Sequence, residues 1–263
     1  MKVRMMAALA LLLASPRTRA AVEGRAVEYQ EGGTVLEGYL ARDPTGPAKK
    51  PGILIVHDWT GVGPYVKGRA EQLAAMGFVA FAADIYGKGV RPRDPKEAAA
   101  TAGKYRSDRK LMRARAAAGL AELRKQPDVI GSEVVAIGYC FGGTTVLELA
   151  RSGADVAGVV SFHGGLDSPT PADGKNIRAR VLAFHGADDP FVTEAQVKAF
   201  EEELRAAGVD WQLVKYGGAV HSFTIPDAGN DNSKGAAYNA SADRRSWKAM
   251  QDFLAELFAA GAK

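Results

Sequence analysis

The sequence predicts an α/β fold in which helices cover both faces of a mostly parallel central sheet. Short apolar runs alternate with helical stretches along the chain, which is the pattern of such folds. Several runs, such as residues 52–57 (Gly-Ile-Leu-Ile-Val-His), are largely apolar, as expected of strands covered on both faces. The chain has 263 residues, of which 47% are hydrophobic and 24% charged, so it has ample material for one core. We expect a single domain over residues 21–263.

The predicted elements begin with an antiparallel pair of strands at residues 25–30 and 34–41, which turns at Gly32-Gly33. A proline-rich loop, residues 44–51, leads to the parallel strands, which are predicted at residues 52–57, 78–83, 133–138, 156–162, 180–185 and 211–216. Helices are predicted at residues 65–76, 95–125 with a break near Gly103 or Ser107, 142–152, 194–207 and 242–259. Chemistry in such sheets lies beyond the carboxyl ends of the strands, so titratable residues that follow a strand are candidates for a site.

The N-terminus has the features of an export signal. Lys2 and Arg4 supply positive charge, residues 5–14 form an apolar stretch, and small residues follow before Ala20. An apolar run of this length is short for a membrane-spanning helix, which needs about 20 residues. We expect residues 1–20 to be a cleaved signal peptide, with an uncleaved anchor as the alternative. The protein is then exported, to the periplasm or outside the cell, and has no stable membrane anchor.

Composition narrows the range of partners. The formal net charge of +4 is modest, and part of it belongs to residues 1–20, so binding to nucleic acid is not expected. One cysteine cannot form an internal disulfide, and the four histidines lack the spacing of a metal site. We expect a monomer that needs no metal and no other cofactor.

Cys140 lies in a Gly-x-Cys-x-Gly segment that follows a predicted strand and begins a predicted helix. This is the pattern of a nucleophile elbow, with cysteine in place of serine. Glycine is needed at Gly138 and Gly142 because larger side chains would clash in so tight a turn. The N-terminus of the helix favours a thiolate, and the N–H of Phe141 is placed to stabilise an oxyanion. The alternative is a small buried cysteine in a glycine-rich turn.

Two further residues could form a catalytic set with Cys140. His221 lies in a glycine-rich loop after the last predicted strand, from which a general base could reach the thiol. Asp188 and Asp189 follow the strand at residues 180–185, and either could orient the imidazole of His221. The order nucleophile, acid, histidine is that of the α/β-hydrolase fold, which is therefore the predicted fold. The alternative for His221 is a surface histidine.

A third segment follows the first buried strand. The N–H of Trp59 is a candidate second donor to the oxyanion, and Asp58 could control the protonation of the thiol. Asp58 could instead be an N-cap or turn residue. We expect the remaining histidines, His57, His163 and His185, to be structural and to close strand ends by hydrogen bonds.

Three segments together resemble the dienelactone hydrolases, also called carboxymethylenebutenolidases. They are residues 138–143 (Gly-Tyr-Cys-Phe-Gly-Gly), residues 189–192 (Asp-Pro-Phe-Val) and residues 221–223 (His-Ser-Phe). The resemblance covers nearly all of the chain after residue 20, and the elbow is its most specific part. It implies a Cys-His-Asp triad at Cys140, His221 and Asp189. It favours Asp189 over Asp188 because the family's acid stands two residues before Phe-Val.

This chain departs from the family pattern in two places. The family has a glutamate that helps to activate the thiol at the position of Asp58, which is one methylene shorter. Characterised members also hold a substrate carboxylate with arginines, one of them shortly after the catalytic histidine, whereas residues 224–226 (Thr-Ile-Pro) contain none. The candidates to replace that arginine are Arg91, Arg93 and Arg106.

The chain is therefore expected to be a hydrolase that cleaves a small ester or lactone through a thioester at Cys140. A peptidase or an acyl-transferring hydrolase with the same three residues is the first alternative. A non-catalytic binding protein that keeps the pocket is the second. A redox-sensing thiol ranks last because the chain has no resolving cysteine.

Overall fold

A computed structural model describes residues 22–260, which contain eight strands and six α-helices. The strands are Glu23–Glu31 (β1), Thr34–Arg42 (β2), Lys50–Val56 (β3), Val79–Ala83 (β4), Val129–Tyr139 (β5), Gly158–Phe162 (β6), Arg180–Gly186 (β7) and Trp211–Tyr216 (β8). The helices are Pro64–Ala75 (α1), Pro95–Ser107 (α2), Arg109–Arg124 (α3), Phe141–Arg151 (α4), Glu194–Ala206 (α5) and Ala240–Ala260 (α6). The predicted signal peptide, residues 1–20, lies outside the described residues.

The strands form one sheet in the order β1-β2-β4-β3-β5-β6-β7-β8. Strands β3 to β8 are parallel, and β1 and β2 form an antiparallel hairpin that joins the sheet beside β4. Helices α1 and α6 pack on one face of this sheet, and α2 to α5 pack on the other. The prediction of a mostly parallel sheet with helices on both faces is confirmed.

Strand β3 shows why the parallel strands are apolar at nearly every position. Leu54 and Val56 belong to the core beneath α2 to α5, whereas Ile53 and Ile55 belong to the core beneath α1 and α6. Successive side chains of a strand point to opposite faces, so a strand covered on both sides needs apolar residues at odd and even positions alike.

The predicted helix at residues 95–125 is two helices that meet at Asp108. The backbone of Asp108 leaves the helical conformation, and its carboxylate accepts a hydrogen bond of 2.9 Å from the N–H of Leu111. That contact caps the N-terminus of α3, as aspartate commonly does. The break predicted near Ser107 is confirmed.

The parallel strands place the loops that follow β3, β5, β6, β7 and β8 at the same edge of the sheet. The segment between β8 and α6, residues 217–239, is the longest of these loops. It contains two short 3-10 helices, Pro226–Ala228 and Asn232–Lys234. No helix among residues 22–260 is long and apolar enough to cross a membrane.

Candidate active site

The turn between β5 and α4 holds Cys140 in a strained backbone conformation, with φ 54° and ψ −114°. Such a turn leaves no room for side chains on its glycines. A Cβ on Gly138 would lie 2.0 Å from the carbonyl oxygen of Gly142, and a Cβ on Gly142 would lie 2.2 Å from that of Val56. The steric reason given for these glycines is therefore confirmed.

Positive φ angles at non-glycine residues occur at three places in the described chain, and all three belong to this site. They are Cys140, His163 with φ 41° and Ser222 with φ 58°. Each such residue costs on the order of 1–3 kcal/mol and persists only where the surroundings enforce it. The strain is thus concentrated at the thiol, at the residue after β6 and next to His221.

Cys140, His221 and Asp189 lie in a chain of contacts at the carboxyl edge of the sheet. The Sγ of Cys140 is 3.0 Å from Nε2 of His221, and Nδ1 of His221 is 2.8 Å from Oδ2 of Asp189. The other oxygen of Asp189 accepts a hydrogen bond of 2.8 Å from the N–H of Phe191. Asp189 is buried, whereas Asp188 is exposed. The structure thus brings together the three residues that the sequence singled out and separates the two aspartates.

The pKa of His221 reflects these neighbours. Burial by itself lowers the pKa, but the Coulomb interaction with Cys140 and the hydrogen bond to Asp189 outweigh it and raise the pKa to about 10. An imidazolium beside a thiolate is the arrangement of an activated cysteine. Cys140 is 6% exposed, so little water screens the pair.

The backbone beside the thiol offers donors for a developing negative charge. The N–H of Phe141 lies in the first turn of α4, where N–H groups lack partners within the helix, and it makes no hydrogen bond to any described residue. Trp59 is 37% exposed, and its carbonyl accepts a hydrogen bond of 3.2 Å from the hydroxyl of Tyr86. Both residues remain predicted oxyanion donors.

Asp58 is engaged in a turn. Its Oδ1 accepts hydrogen bonds of 2.7 Å from the N–H and 2.6 Å from the hydroxyl of Thr60. This is the arrangement of a turn aspartate, which was the alternative to thiol activation. Neither bond involves the thiol, so activation of Cys140 by Asp58 stays a prediction.

The other three histidines occupy strand ends, as expected, with different surroundings. Nε2 of His57 accepts a hydrogen bond of 3.2 Å from the N–H of Ile85. His163 accepts one of 3.2 Å from the N–H of Cys140. His185 is buried, and its Nδ1 has no hydrogen-bond partner among the described residues. The expectation that these histidines form hydrogen bonds at strand ends therefore fits His57 and His163. Of these two, His163 is the one that is hydrogen-bonded to Cys140.

A pocket of about 490 Å³ opens beside His221. Arg106 and Arg109 lie on one wall of this pocket, and the exposed ring of Phe191 lies on another. Arg109 is held by a salt bridge of 2.6 Å to Asp167, while its Nε and Nη1 have no hydrogen-bond partner among residues 22–260. Asp167 also lines the pocket, so the charge of Arg109 is paired, and Arg106 supplies the positive charge that is in no salt bridge with a described residue.

Of the three arginines proposed from the sequence, Arg106 alone lines this pocket. Arg91 donates hydrogen bonds to the carbonyls of Val62 and Val90, and Arg93 forms an exposed pair with Glu97. Arg109 was missed by the sequence reasoning. Its position next to the helix break at Asp108 was the available signal, because helix ends at the carboxyl edge of the sheet can reach the site.

The described residues contain no group of three or more histidine, cysteine, aspartate or glutamate side chains that could hold a metal ion.

Known proteins resemble this chain in sequence and in structure. An uncharacterised protein of Caenorhabditis elegans is 38% identical over 153 residues, which are 56% of this chain and 95% of that protein. A Bradyrhizobium protein named as a 2-oxo-3-(5-oxofuran-2-ylidene)propanoate lactonase is 28% identical, covering 77% of this chain and 86% of its own. A solved dienelactone hydrolase-like promiscuous phosphotriesterase from metagenomic libraries is 42% identical with a TM-score of 0.85, covering 90% of this chain and 99% of its own.

The same fold occurs in more distant structures. The dienelactone hydrolase of Anabaena variabilis superposes with a TM-score of 0.64 at 23% identity, covering 88% of this chain and 98% of that one. The dienelactone hydrolase family itself matches residues 36–258 of this chain. Because that match spans well over half of the sequence, the protein belongs to the dienelactone hydrolase family and is a hydrolase of the α/β-hydrolase fold.

Proposed function

We propose that the protein hydrolyses a small carboxylic ester or lactone with Cys140 as the nucleophile, His221 as the acid and base, and Asp189 as the residue that orients His221. The observation that carries the proposal is the continuous chain of contacts, 3.0 Å from thiol to imidazole and 2.8 Å from imidazole to carboxylate. Distances in this range allow direct proton transfer.

The reaction runs in two halves. The Cys140 thiolate attacks the carbonyl carbon, and the N–H groups of Phe141 and Trp59 hold the oxyanion. The imidazolium of His221 then gives its proton to the leaving alkoxide, which leaves a thioester on Cys140. Neutral His221 next takes a proton from water, the hydroxide attacks the thioester, and the acid departs as thiolate and imidazolium re-form.

Replacing Cys140 with alanine tests this proposal. The variant should hydrolyse p-nitrophenyl acetate at least 1000-fold more slowly than the wild-type protein, on the order of what removing a nucleophile costs. Circular dichroism should show an unchanged fold, and a brief incubation with ester should add an acyl mass to Cys140 in the wild type. Full esterase activity in Cys140→Ala would refute the proposal, whereas Cys140→Ser is less decisive because some activity could survive.

The lining of the pocket favours substrates that carry a carboxylate. Arg106 brings a positive charge next to His221 that is in no salt bridge with a described residue, whereas Arg109 is paired with Asp167. The Bradyrhizobium relative is named for a lactone that is itself a propanoate. Rates for matched lactones with and without a carboxylate would test this preference. A peptide panel run in parallel separates an ester hydrolase from a peptidase.

A non-catalytic binding protein is the alternative from another class. A catalytic thiol beside an imidazolium should react with iodoacetamide at mildly acidic pH, where an ordinary thiol is protonated. Absence of labelling together with absence of turnover would favour the binding protein.

The 42% identical relative favours a second activity on phosphotriesters, because that protein is named a promiscuous phosphotriesterase. In such a reaction the Cys140 thiolate would attack phosphorus and expel an aryloxide, which takes the proton of His221. Water would then cleave the S–P bond to give a phosphodiester and restore the thiol. Turnover of paraoxon that disappears in Cys140→Ala would support this activity.

A further inference from the structure

His163 lies between the two halves of the site. It follows β6, which is the strand between the elbow strand β5 and the strand β7 that precedes Asp189. Its imidazole is fully buried, and its backbone has a φ of 41°. Strain at a buried residue needs an enforcing environment, and here that environment is the site itself.

The contacts of His163 reach both the nucleophile and the histidine loop. Its Nδ1 lies 3.2 Å from the backbone nitrogen of Cys140, which also donates to Phe162 O at 2.9 Å. Its Nε2 lies 2.7 Å from the hydroxyl of Thr224. The ring also packs edge-on against His221, with centroids 5.4 Å apart, and against Phe223 at 5.0 Å.

These contacts determine the tautomer. Nδ1 accepts from an N–H, so the proton is on Nε2, which donates to the hydroxyl of Thr224. That hydroxyl lies 2.7 Å from the hydroxyl of Tyr65, which in turn accepts from Nε of Arg69 at 3.3 Å. The imidazole is therefore the end of a buried polar chain that runs from α1 through the histidine loop to the nucleophile.

A neutral ring suits this place. The titratable groups that face it are Cys140, His221, Tyr139 with a centroid distance of 6.2 Å, and Arg69 behind Tyr65. Burial, followed by the positive charge of His221, holds the pKa of His163 well below its ordinary value. It thus contacts the imidazolium without adding a like charge.

We propose that His163 is a positioning residue that ties the backbone of Cys140 to the loop of His221 and so sets the distance between the thiolate and the imidazolium. The proposal rests on the proposed function. Cys140 and His221 are 81 residues apart in the chain, and His163 contacts both. A displacement of about 1 Å at such a pair can cost 100-fold in rate.

Two substitutions of His163 test the proposal. Leucine removes the acceptor and the donor, whereas asparagine keeps an oxygen near the position of Nδ1 and tolerates positive φ. His163→Leu should lower kcat by a factor of about 10 to 100 with KM changed less than about threefold. It should also raise the midpoint of thiolate formation, followed at 240 nm, by about one pH unit. His163→Asn should lie between His163→Leu and the wild type in both measurements.

Two controls separate positioning from a merely structural role. Thr224→Val removes the hydroxyl that is hydrogen-bonded to Nε2 of His163. It should raise the midpoint of thiolate formation by less than His163→Leu does. Leu123→Ala opens a cavity beside Gly52, at the amino end of β3 and away from the site. It should lower the unfolding midpoint and leave the thiolate titration in place.

The outcomes are distinct. An unchanged thiolate titration in a folded His163→Leu variant would overturn the proposal, and so would equal losses in the leucine and asparagine variants. If Cys140→Ala keeps full activity, the proposed function fails. If Cys140→Ala is inactive while His163→Leu behaves as the wild type, positioning by His163 fails alone.

Discussion

The two halves of the site are held in different ways. The glycines of the elbow, residues 138–143, pack closely against the elbow's own backbone and against the ends of the two neighbouring strands, β3 and β6. The histidine loop, residues 217–239, has little regular structure and depends on polar contacts within the loop and with Arg69 on α1.

Hydrogen bonds hold the histidine loop in place. The N–H of His221 donates to the carbonyl of Gly235 at 3.1 Å, and the side chains of Asn232 and Asn239 both donate to the carbonyl of Gly218. At the base of the loop, Arg69 forms a salt bridge of 2.6 Å with Asp243 and also donates to the carbonyl of Thr224.

Close backbone packing therefore positions Cys140, whereas a network of polar contacts positions His221. A tight backbone turn tolerates almost no change, because there is no space into which it can relax. A polar network loses stability in steps as single contacts are removed. Substitutions in the elbow should therefore have larger effects on stability than substitutions in the histidine loop.

Gly142→Ala should have the largest effect. The new methyl group would lie 2.2 Å from the carbonyl oxygen of Val56 and 2.6 Å from that of His57, so β3 or α4 must move. We expect a loss of at least about 4 kcal/mol in the free energy of unfolding, measured by urea denaturation. Gly217→Ala is the matched control in the histidine loop, where a Cβ meets nothing within 4 Å, and it should stay within about 0.5 kcal/mol of the wild type. Equal stability of the two variants would contradict the steric account of the elbow.

Asp189→Asn should lower kcat about 1000-fold, or about 4 kcal/mol, with little change in stability. An amide in place of the buried carboxylate can present an N–H to Nδ1 of His221 and favour the wrong tautomer. Steady-state kinetics on an activated ester would measure the loss. Asp188→Asn alters the exposed neighbour and should stay within about twofold of the wild type. A similar loss in both variants would contradict the role of Asp189 as the residue that orients His221.

Arg69→Met should lower the free energy of unfolding by about 3 kcal/mol, because it leaves the largely buried carboxylate of Asp243 without its partner. The matched control is Arg180→Met, which breaks exposed pairs with Asp210 and Glu256 and should cost less than about 1 kcal/mol. Chemical denaturation of both variants would compare them. Equal, small losses would show that the histidine loop does not depend on this network.

The pH dependence of the rate should report the thiolate–imidazolium pair. Imidazolium is the form that gives a proton to the leaving group, and the pKa of His221 is raised to about 10. Activity should therefore hold at alkaline pH and fall as pH rises through about 10, by about tenfold per pH unit beyond it. In Cys140→Ser the negative charge is absent, so the histidine should titrate at lower pH in an NMR experiment. An alkaline decline near pH 6.5 in the wild type would show that the pair does not form.

Arg106→Gln should have the smallest and most selective effect. Loss of one partly hydrated charge should raise KM by about tenfold for a lactone that bears a carboxylate and leave a neutral lactone unchanged. Arg93→Gln removes an exposed arginine that pairs with Glu97 outside the pocket. It should leave the KM values of both lactones unchanged. The same rise in KM for both lactones would show that Arg106 does not recognise a carboxylate.

Much of the site was predictable because its constraints are local. The spacing of glycines around Cys140, directly after one apolar run and before a helix, allows few conformations other than the elbow. The order of Cys140, Asp189 and His221 along the chain, each after its own strand, then indicates one edge of one sheet. The helix break at Asp108 is similarly local, because aspartate competes for backbone N–H groups and caps helices.

Other features depend on which strands are neighbours. From the sequence, His163 cannot be told apart from the other histidines at strand ends. Its contact with Cys140 exists because β6 lies directly beside β5. Arg91 and Arg93 precede α2 and Arg106 lies in its last turn, and only the tertiary structure shows that Arg106 is the one in the pocket. The turn of Asp58 is local by contrast, because its bonds are to Thr60, two residues further on, and a turn was one of the two alternatives that the sequence left open.

By itself the sequence determined the fold class, the elbow, and Cys140 and His221 with a choice of two aspartates, because short-range sterics and the two-residue period of strands act over a few neighbouring residues. The tertiary structure alone decided the partners of His163 and the arginine in the pocket wall. Those contacts join residues tens of positions apart, and their distances depend on strand order and loop path, which no local pattern in the chain encodes.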